Sequence, residues 1–251
     1  MKVIKEYLGV ILIGVGILVG YYLLTDVFHV LNPFLFYSLV DIPPLFIEYA
    51  DKLFEGFKSS MYLFGISYSV AVILGISLGS YVGLHNRLRK NITPYIYAFS
   101  AIPVTLLTPY AINILPSFKV ASIFIIFLGC FWLIFSTTQS DVMTIDKRYL
   151  ETAATLEMPV MENFFGVILP AASPGILTGC TIALKFAFML LAVAEMFGAD
   201  SGMGFFIQYY SDFGRFDLVA VGFFFMAAVL VIIMYIFDVI KARILKWTIN
   251  N

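Results

Sequence analysis

The sequence predicts an all-α membrane protein of about six transmembrane helices, and three observations carry that prediction. Of 251 residues, 61% are apolar and only 12% charged, about half the charged share of a soluble domain. Mean hydropathy is +0.97. The apolar residues also fall into separate runs near 7–27, 60–84, 92–114, 118–138, 170–197 and 217–240, each close to the roughly 20 residues a helix needs to cross the hydrocarbon core.

The first run follows Lys2 and Lys5, as a secretory signal would. Leu8 to Leu24 is long for a signal's apolar region, and no small-x-small cleavage site follows, so it is expected to stay as the first span. His29 to Ser59 carries Pro33, Pro43 and Pro44 and then an amphipathic run. There Phe46, Ile47, Tyr49, Ala50, Leu53, Phe54 and Phe57 recur at helical spacing among Glu48, Asp51, Lys52, Glu55 and Lys58. Two placements suit it: a helix on the outer membrane surface, or the start of the second span. The second span holds Gly75, Gly79 and Gly83 in register, a spacing that lets helix backbones approach where lipid offers no hydrophobic drive for association. The third contains Pro103 and Pro109. Freed backbone groups are tolerated at membrane depth only against protein or a wet cavity, which fits a pathway-lining helix or a kinked structural one equally.

Basic residues set the orientation. With both termini inside, Lys2, Lys5, Arg87, Arg89, Lys90, Lys147, Arg148, Lys241, Arg243 and Lys246 are cytoplasmic, and Lys52, Lys58, Lys119 and Arg215 lie outside. Ten against four follows the positive-inside rule. The same composition excludes other classes. A net charge of −1 leaves no basic excess for nucleic acid. Cys130 and Cys180 sit within apolar runs and read as packing residues, and His29 and His85 make no metal motif. No cofactor is implied. An intramembrane protease would need a Gly-x-Ser-Gly or Gly-x-Gly-Asp arrangement; Gly198-Ala199-Asp200 lacks the second glycine.

The most polar stretch, 139–170, joins the fourth and fifth spans on the cytoplasmic side and holds Asp141, Asp146, Lys147, Arg148, Glu151, Glu157 and Glu162. Within it Asp146 to Leu156 predicts a short helix, capped by Asp146, with Tyr149, Leu150, Ala153, Ala154 and Leu156 on or near one face. A helix tethered at both ends by spans can act as a lever for a soluble partner.

The run Tyr149-Leu150-Glu151-Thr152-Ala153-Ala154-Thr155-Leu156-Glu157-Met158-Pro159, continued by Leu169-Pro170, resembles the signature loop of binding-protein-dependent ABC importer permeases. Ala194 to Ile207, with Glu195 and Gly198 to Gly204, and Ala101-Ile102-Pro103 are similar to the nitrate/sulfonate/taurine group, which includes permeases for vitamin precursors. The resemblance spans about 60–245 of a single permease domain, 1–251. It implies a type I importer permease fold and a bacterial or archaeal inner-membrane location. Its implied partners are a second permease copy, two separate ATP-binding cassette subunits and an extracytoplasmic solute-binding protein. The solute would be small, such as a sulfonate, nitrate or vitamin precursor. The chain itself would be a transport subunit rather than an enzyme, consistent with its lack of a Gly-x4-Gly-Lys-Ser/Thr loop. The same resemblance places Arg148, Leu150, Glu151, Thr152, Ala153, Leu156 and Glu157 at the ATPase contact. A secondary transporter or channel working without an ATPase is the alternative.

Two residues depart from the family pattern. Thr152 replaces the middle residue of Glu-Ala-Ala, a mild change. Glu157 stands where the family has the glycine that permits the following turn, often at positive φ, where a glutamate is strained. Pro159 could break the helix instead. Glu157 either faces the cytosol at a helix end or meets a basic residue of the ATPase.

Lys185 falls near the middle of the fifth span, where a lysine is expected to face protein or water. It lines the pathway and attracts an anion, or it orients helices by pairing. Glu195, ten residues on, is about 15 Å away along the helix and out of direct reach. Met189 and Glu195 complete the pathway candidates; Glu195 has a second reading, that it orders the loop 198–204.

Overall fold

A computed structural model describes residues 2–32 and 34–248, the side chains of 2–8, 10 and 11 lying outside the description. Among the described residues the chain is helical throughout, with no strand. The elements are α1 (Lys2–Tyr22), α2 (Ile42–Glu48), α3 (Ala50–Leu84), α4 (Asn86–Ser100), α5 (Thr108–Ile114), α6 (Phe118–Met143), α7 (Lys147–Thr155), α8 (Val160–Asn163), α9 (Leu169–Met196), α10 (Met203–Asp212) and α11 (Phe216–Ile244).

Four of the expected spans match helices long and apolar enough to cross a membrane: Ala50–Leu84, Phe118–Met143, Val160–Met196 and Phe216–Trp247. Two differ from expectation. The span expected at 92–114 is a bent pair, Asn86–Ser100 and Val104–Ile114, turning by 75° at the break. Pro103 takes extended geometry there (φ −60°, ψ 113°), and proline also disfavours helical geometry in the residue before it. The span expected at 7–27 is α1 followed by a π turn, Leu23–Val27. Its described apolar stretch, Leu12–Val27, is shorter than a full crossing, and the rest of that expectation falls mainly on side chains outside the description.

Of the two placements open for the amphipathic run, the structure takes the second. Pro43 and Pro44 start α2 in its first turn, where a missing N–H removes no helical bond. Tyr49 interrupts the helix (φ −101°, ψ 11°), and α3 then runs 35 residues without a break.

The core is a layer of α3, α6 and α9. Gly75, Gly79 and Gly83 carry α3 against α6: a Cβ added at Gly79 would stand 2.7 Å from the Phe135 carbonyl oxygen, and one at Gly83 would stand 3.0 Å from that of Gln139. On the other side of α6, Cys130 Sγ lies 3.5 Å from the Ala183 carbonyl of α9, and Tyr68 of α3 donates its hydroxyl to the Cys180 carbonyl at 2.7 Å. Both cysteines are buried and free. α10 packs across α9 and α11, with Phe206, Tyr210, Leu218 and Val221 in a second buried cluster.

Candidate functional site

The helix between the α6 and α9 spans is built by its ends. Asp146 caps it, its carboxylate accepting from the Arg148 N–H at 3.0 Å, and the Arg148 guanidinium closes back on the same carboxylate at 2.7 Å. Hydrogen bonds from the Arg148 side chain, with the backbone bond second, hold the Asp146 carboxyl below the usual carboxylate range. Thr152 and Thr155 fold their hydroxyls onto the carbonyls of Arg148 and Glu151, at 2.7 and 2.9 Å, which is how the departure at Thr152 is accommodated inside the helix.

At the far end the turn is made by Glu157 itself, at φ 50°. The Met158 N–H reaches the Ala153 carbonyl at 3.2 Å and the Glu157 N–H reaches that of Ala154 at 3.1 Å, the paired bonds of a helix stop that usually places glycine here. Pro159 therefore does not replace that turn; it follows it and starts α8.

This geometry sorts the seven residues of the loop. Ala153 is buried and Leu150 half-buried, tying α7 to the core. Arg148, Glu151, Thr152, Leu156 and Glu157 are exposed. Beside them Tyr149, Val160 and Met161 are exposed as well, Val160 at 87% and Leu156 at 68%. Four large apolar side chains are thus exposed in the most polar part of the chain. Val160 and Met161 were not singled out in the sequence, because they read as the approach to the next span.

The second site is one face of α9. Thr178, Ile182, Lys185 and Met189 are exposed at helical spacing. Ile182 and Phe186 border a cavity of about 510 Å³ whose opposite wall is the break in the bent helix, Ser100 to Val104, with Trp132 and Ser136 between. Ile182 also borders a second cavity of about 460 Å³, lined by Thr137, Ser140, Asp141 and Thr178. Both cavities open beside α6 and α9, with Ile182 on the wall of each. Irregular backbone at membrane depth is tolerated where it lines such a space. Lys185 takes part in neither of the two ion pairs among the described residues, Arg148–Asp146 and Arg215–Asp217.

Glu195 does not share this face. It is wholly buried, takes a hydrogen bond from the Ser60 hydroxyl at 2.6 Å and another from the Gly204 N–H at 2.8 Å. Ser60 in turn accepts from the Met203 N–H at 2.8 Å. The carboxylate therefore fastens the start of α10 to α3 and α9.

A family model described as "Binding-protein-dependent transport system inner membrane component" matches residues 71–249. The chain belongs to that family. A Bacillus subtilis protein described as an aliphatic sulfonates transport permease, SsuC, is 28% identical over 198 residues, covering 79% of this chain and 72% of that one. The nitrate import permease protein NrtB of Leptolyngbya laminosa is 30% identical, covering 62% and 56%. The bicarbonate transport system permease protein CmpB of Synechococcus elongatus is 33% identical, covering 56% and 51%. The matched part of this chain thus spans about half the length of the last two. A solved chain of the MetNI methionine ABC transporter, in an inward-facing conformation, superposes with a TM-score of 0.59 at 18% identity, over 81% of this chain and 97% of that one. That likeness shows the fold.

The inner-membrane-component family makes the chain a multi-pass membrane transport subunit, similar to permeases named for sulfonates, nitrate and bicarbonate, and nothing supports the secondary-transporter alternative. The groove residues Ser136 and Ser140 are not among the sequence's site candidates, and Asp141 enters there only as part of the polar loop, whereas the span of Pro103 already had a pathway-lining reading. A signal was available: Ser136-Thr137-Thr138-Gln139-Ser140-Asp141 is a polar run inside a span. It reads as the span's end only if the helix is assumed to stop near 138.

Proposed function

We propose that this chain is the pathway-forming permease subunit of an ATP-driven importer, working as one of two copies. Two ATP-binding cassette subunits would dock on the loop 139–170 from the cytoplasm, and an extracytoplasmic binding protein would deliver the solute. In this reading residues 1–251 are one permease domain with its core at 60–245, both termini are cytoplasmic, and the membrane is a bacterial or archaeal inner membrane. ATP hydrolysis belongs to the separate subunits.

The observation that carries the proposal is α7: a short helix capped at Asp146, stopped at Glu157, anchored through Leu150 and Ala153, and offering Glu151, Leu156 and Val160 outward. Force applied there passes to the α6 and α9 spans at its two ends, and alternating access requires such a two-state element biased by a partner. Names that point to sulfonates, nitrate and bicarbonate, all small oxyanions, support a small anionic solute.

Co-expression with a candidate ATP-binding cassette subunit from the same organism tests the reading. The parent chain should co-purify with that subunit and give ATP-dependent uptake in vesicles when the binding protein is added. Leu156→Asp should abolish co-purification while leaving the permease folded in detergent, because it puts a charge into an apolar contact that only the complex buries. Uptake by the chain alone, without ATP, would overturn the proposal.

A further inference from the structure

Lys185 is 11 residues from Met196, the last residue of α9, or about 16 Å at 1.5 Å per residue. That is about half of a 30 Å hydrocarbon core, so the ammonium sits near mid-membrane. Its side chain is exposed in the single chain, so in the membrane it meets lipid, which is unfavourable for an ammonium, or water, or the second permease copy.

Three observations favour water. Its helical neighbours Ile182 and Phe186 border the 510 Å³ cavity, which also holds Ser100, Ser136 and the broken backbone at Pro103. Polar groups line the neighbouring cavity at Thr137, Ser140 and Thr178. No carboxylate forms an ion pair with it among the described residues. Glu195 is buried and bonded to Ser60 and Gly204. Asp141 packs against Gly175, ten residues back along α9, or about 15 Å.

We infer that Lys185 is the charged element of a solvated anion site halfway along the pathway, taking small oxyanions and disfavouring cations. The inference rests on the importer reading for its biological use, not for its chemistry. In a two-copy pathway the same lysine comes from each side, and mutual repulsion across the gap is relieved by the anion that enters it.

Charge-selective thiol labelling tests this directly. Both native cysteines are buried, so the parent chain is the blank, and Met189→Cys places a reporter one helical turn from Lys185. The chain is held in lipid nanodiscs with its ATPase subunit, and the probes are sulfonatoethyl and trimethylammonioethyl methanethiosulfonate. Relative to their rates on free cysteine, the anionic probe should gain roughly tenfold over the cationic one, the size expected for one charge at 5–6 Å in a wet site. Lys185→Met should erase that ratio and Lys185→Arg should keep it; Lys185→Gln serves if the methionine variant does not fold. A ratio that survives Lys185→Met, or a reporter that neither probe labels, overturns the inference. ATP-dependent uptake by the parent complex is scored separately. Its absence with the charge ratio intact defeats the importer reading and leaves the anion site standing.

Discussion

Two stretches of α9 carry an ionisable side chain, and they are built in opposite ways. At Glu195 every neighbour is fitted to the carboxylate: the Ser60 hydroxyl at 2.6 Å, the Gly204 N–H at 2.8 Å, and Gly202, where an added Cβ would collide with the carboxyl group. At Lys185 nothing is fitted; the side chain stands exposed beside a groove. Ten residues at 100° each leave the two about 80° apart around the helix axis. That rotation turns Glu195 into the seam with α3 and α10 and leaves Lys185 on the open face. Depth in the membrane alone does not assign a role to a charge. What the helix face meets does.

The comparison breaks most easily at the seam. Glu195→Ala should destabilise the folded chain by about 3 kcal/mol, because the Gly204 N–H and the Ser60 hydroxyl each lose their acceptor in a dry site. Unfolding in detergent, followed by circular dichroism, measures it. Glu195→Gln should recover part of the loss, since its amide oxygen accepts one bond and Ser60 can reverse to accept the other. Gly202→Ala should cost about 2 kcal/mol: residue 202 has φ 143°, a region L side chains rarely adopt, and the new methyl meets the Glu195 carboxyl. Combining Gly202→Ala with Glu195→Ala should cost less than the sum, by 0.5 kcal/mol or more, because the collision is gone. Strict additivity would mean that the two do not form one unit.

The legibility of these features from the sequence follows the same division. The glycine register of α3 and the Asp146 cap depend on local patterns, and the structure carries both; of the six expected spans it carries four as single helices and one as a bent pair. The bend at Pro103 was half visible: the proline announced a defect, but a 75° turn that opens a cavity depends on what α6 and α9 leave unfilled. Glu195 shows the limit more sharply. Its hydroxyl partner comes from residue 60, which no window around 195 contains, and from the sequence a glutamate near a span's end reads as a pathway residue or as one that orders the loop 198–204. Ser140 and Asp141 are read as loop because the span is expected to stop near 138, when the helix carries its polar run onward to Met143.

Glu157 lies between the two extremes of fit. Its left-handed backbone at φ 50° is unfavourable for any residue with a Cβ by roughly 1–2 kcal/mol, and its exposed side chain has no bond within the described residues to offset that. Glu157→Gly should therefore stabilise the chain by about 1 kcal/mol, raising the detergent unfolding temperature. If the variant is instead neutral or worse, some contact of the glutamate holds the turn. The loop would then be fitted, like the Glu195 seam. Should Glu157→Gly raise stability and yet weaken co-purification with the ATPase subunit, the strain is retained for that contact, and the turn belongs with the open sites.

The smallest effect expected is at Lys185, and it bears most directly on the contrast. An exposed side chain without an ion pair leaves nothing unsatisfied when it is removed, so Lys185→Met should change stability by less than about 0.5 kcal/mol. A lysine that orients helices would behave differently. Its partner would be stranded in a dry site, and the loss would approach that of Glu195→Ala. Measured side by side in the same detergent, the two variants should differ by at least about 2 kcal/mol. If they lose equal stability, Lys185 is as structural as Glu195. If only Glu195→Ala unfolds early, the open face of α9 is free to serve transport, and any defect of Lys185→Met in uptake is a defect in what the groove attracts.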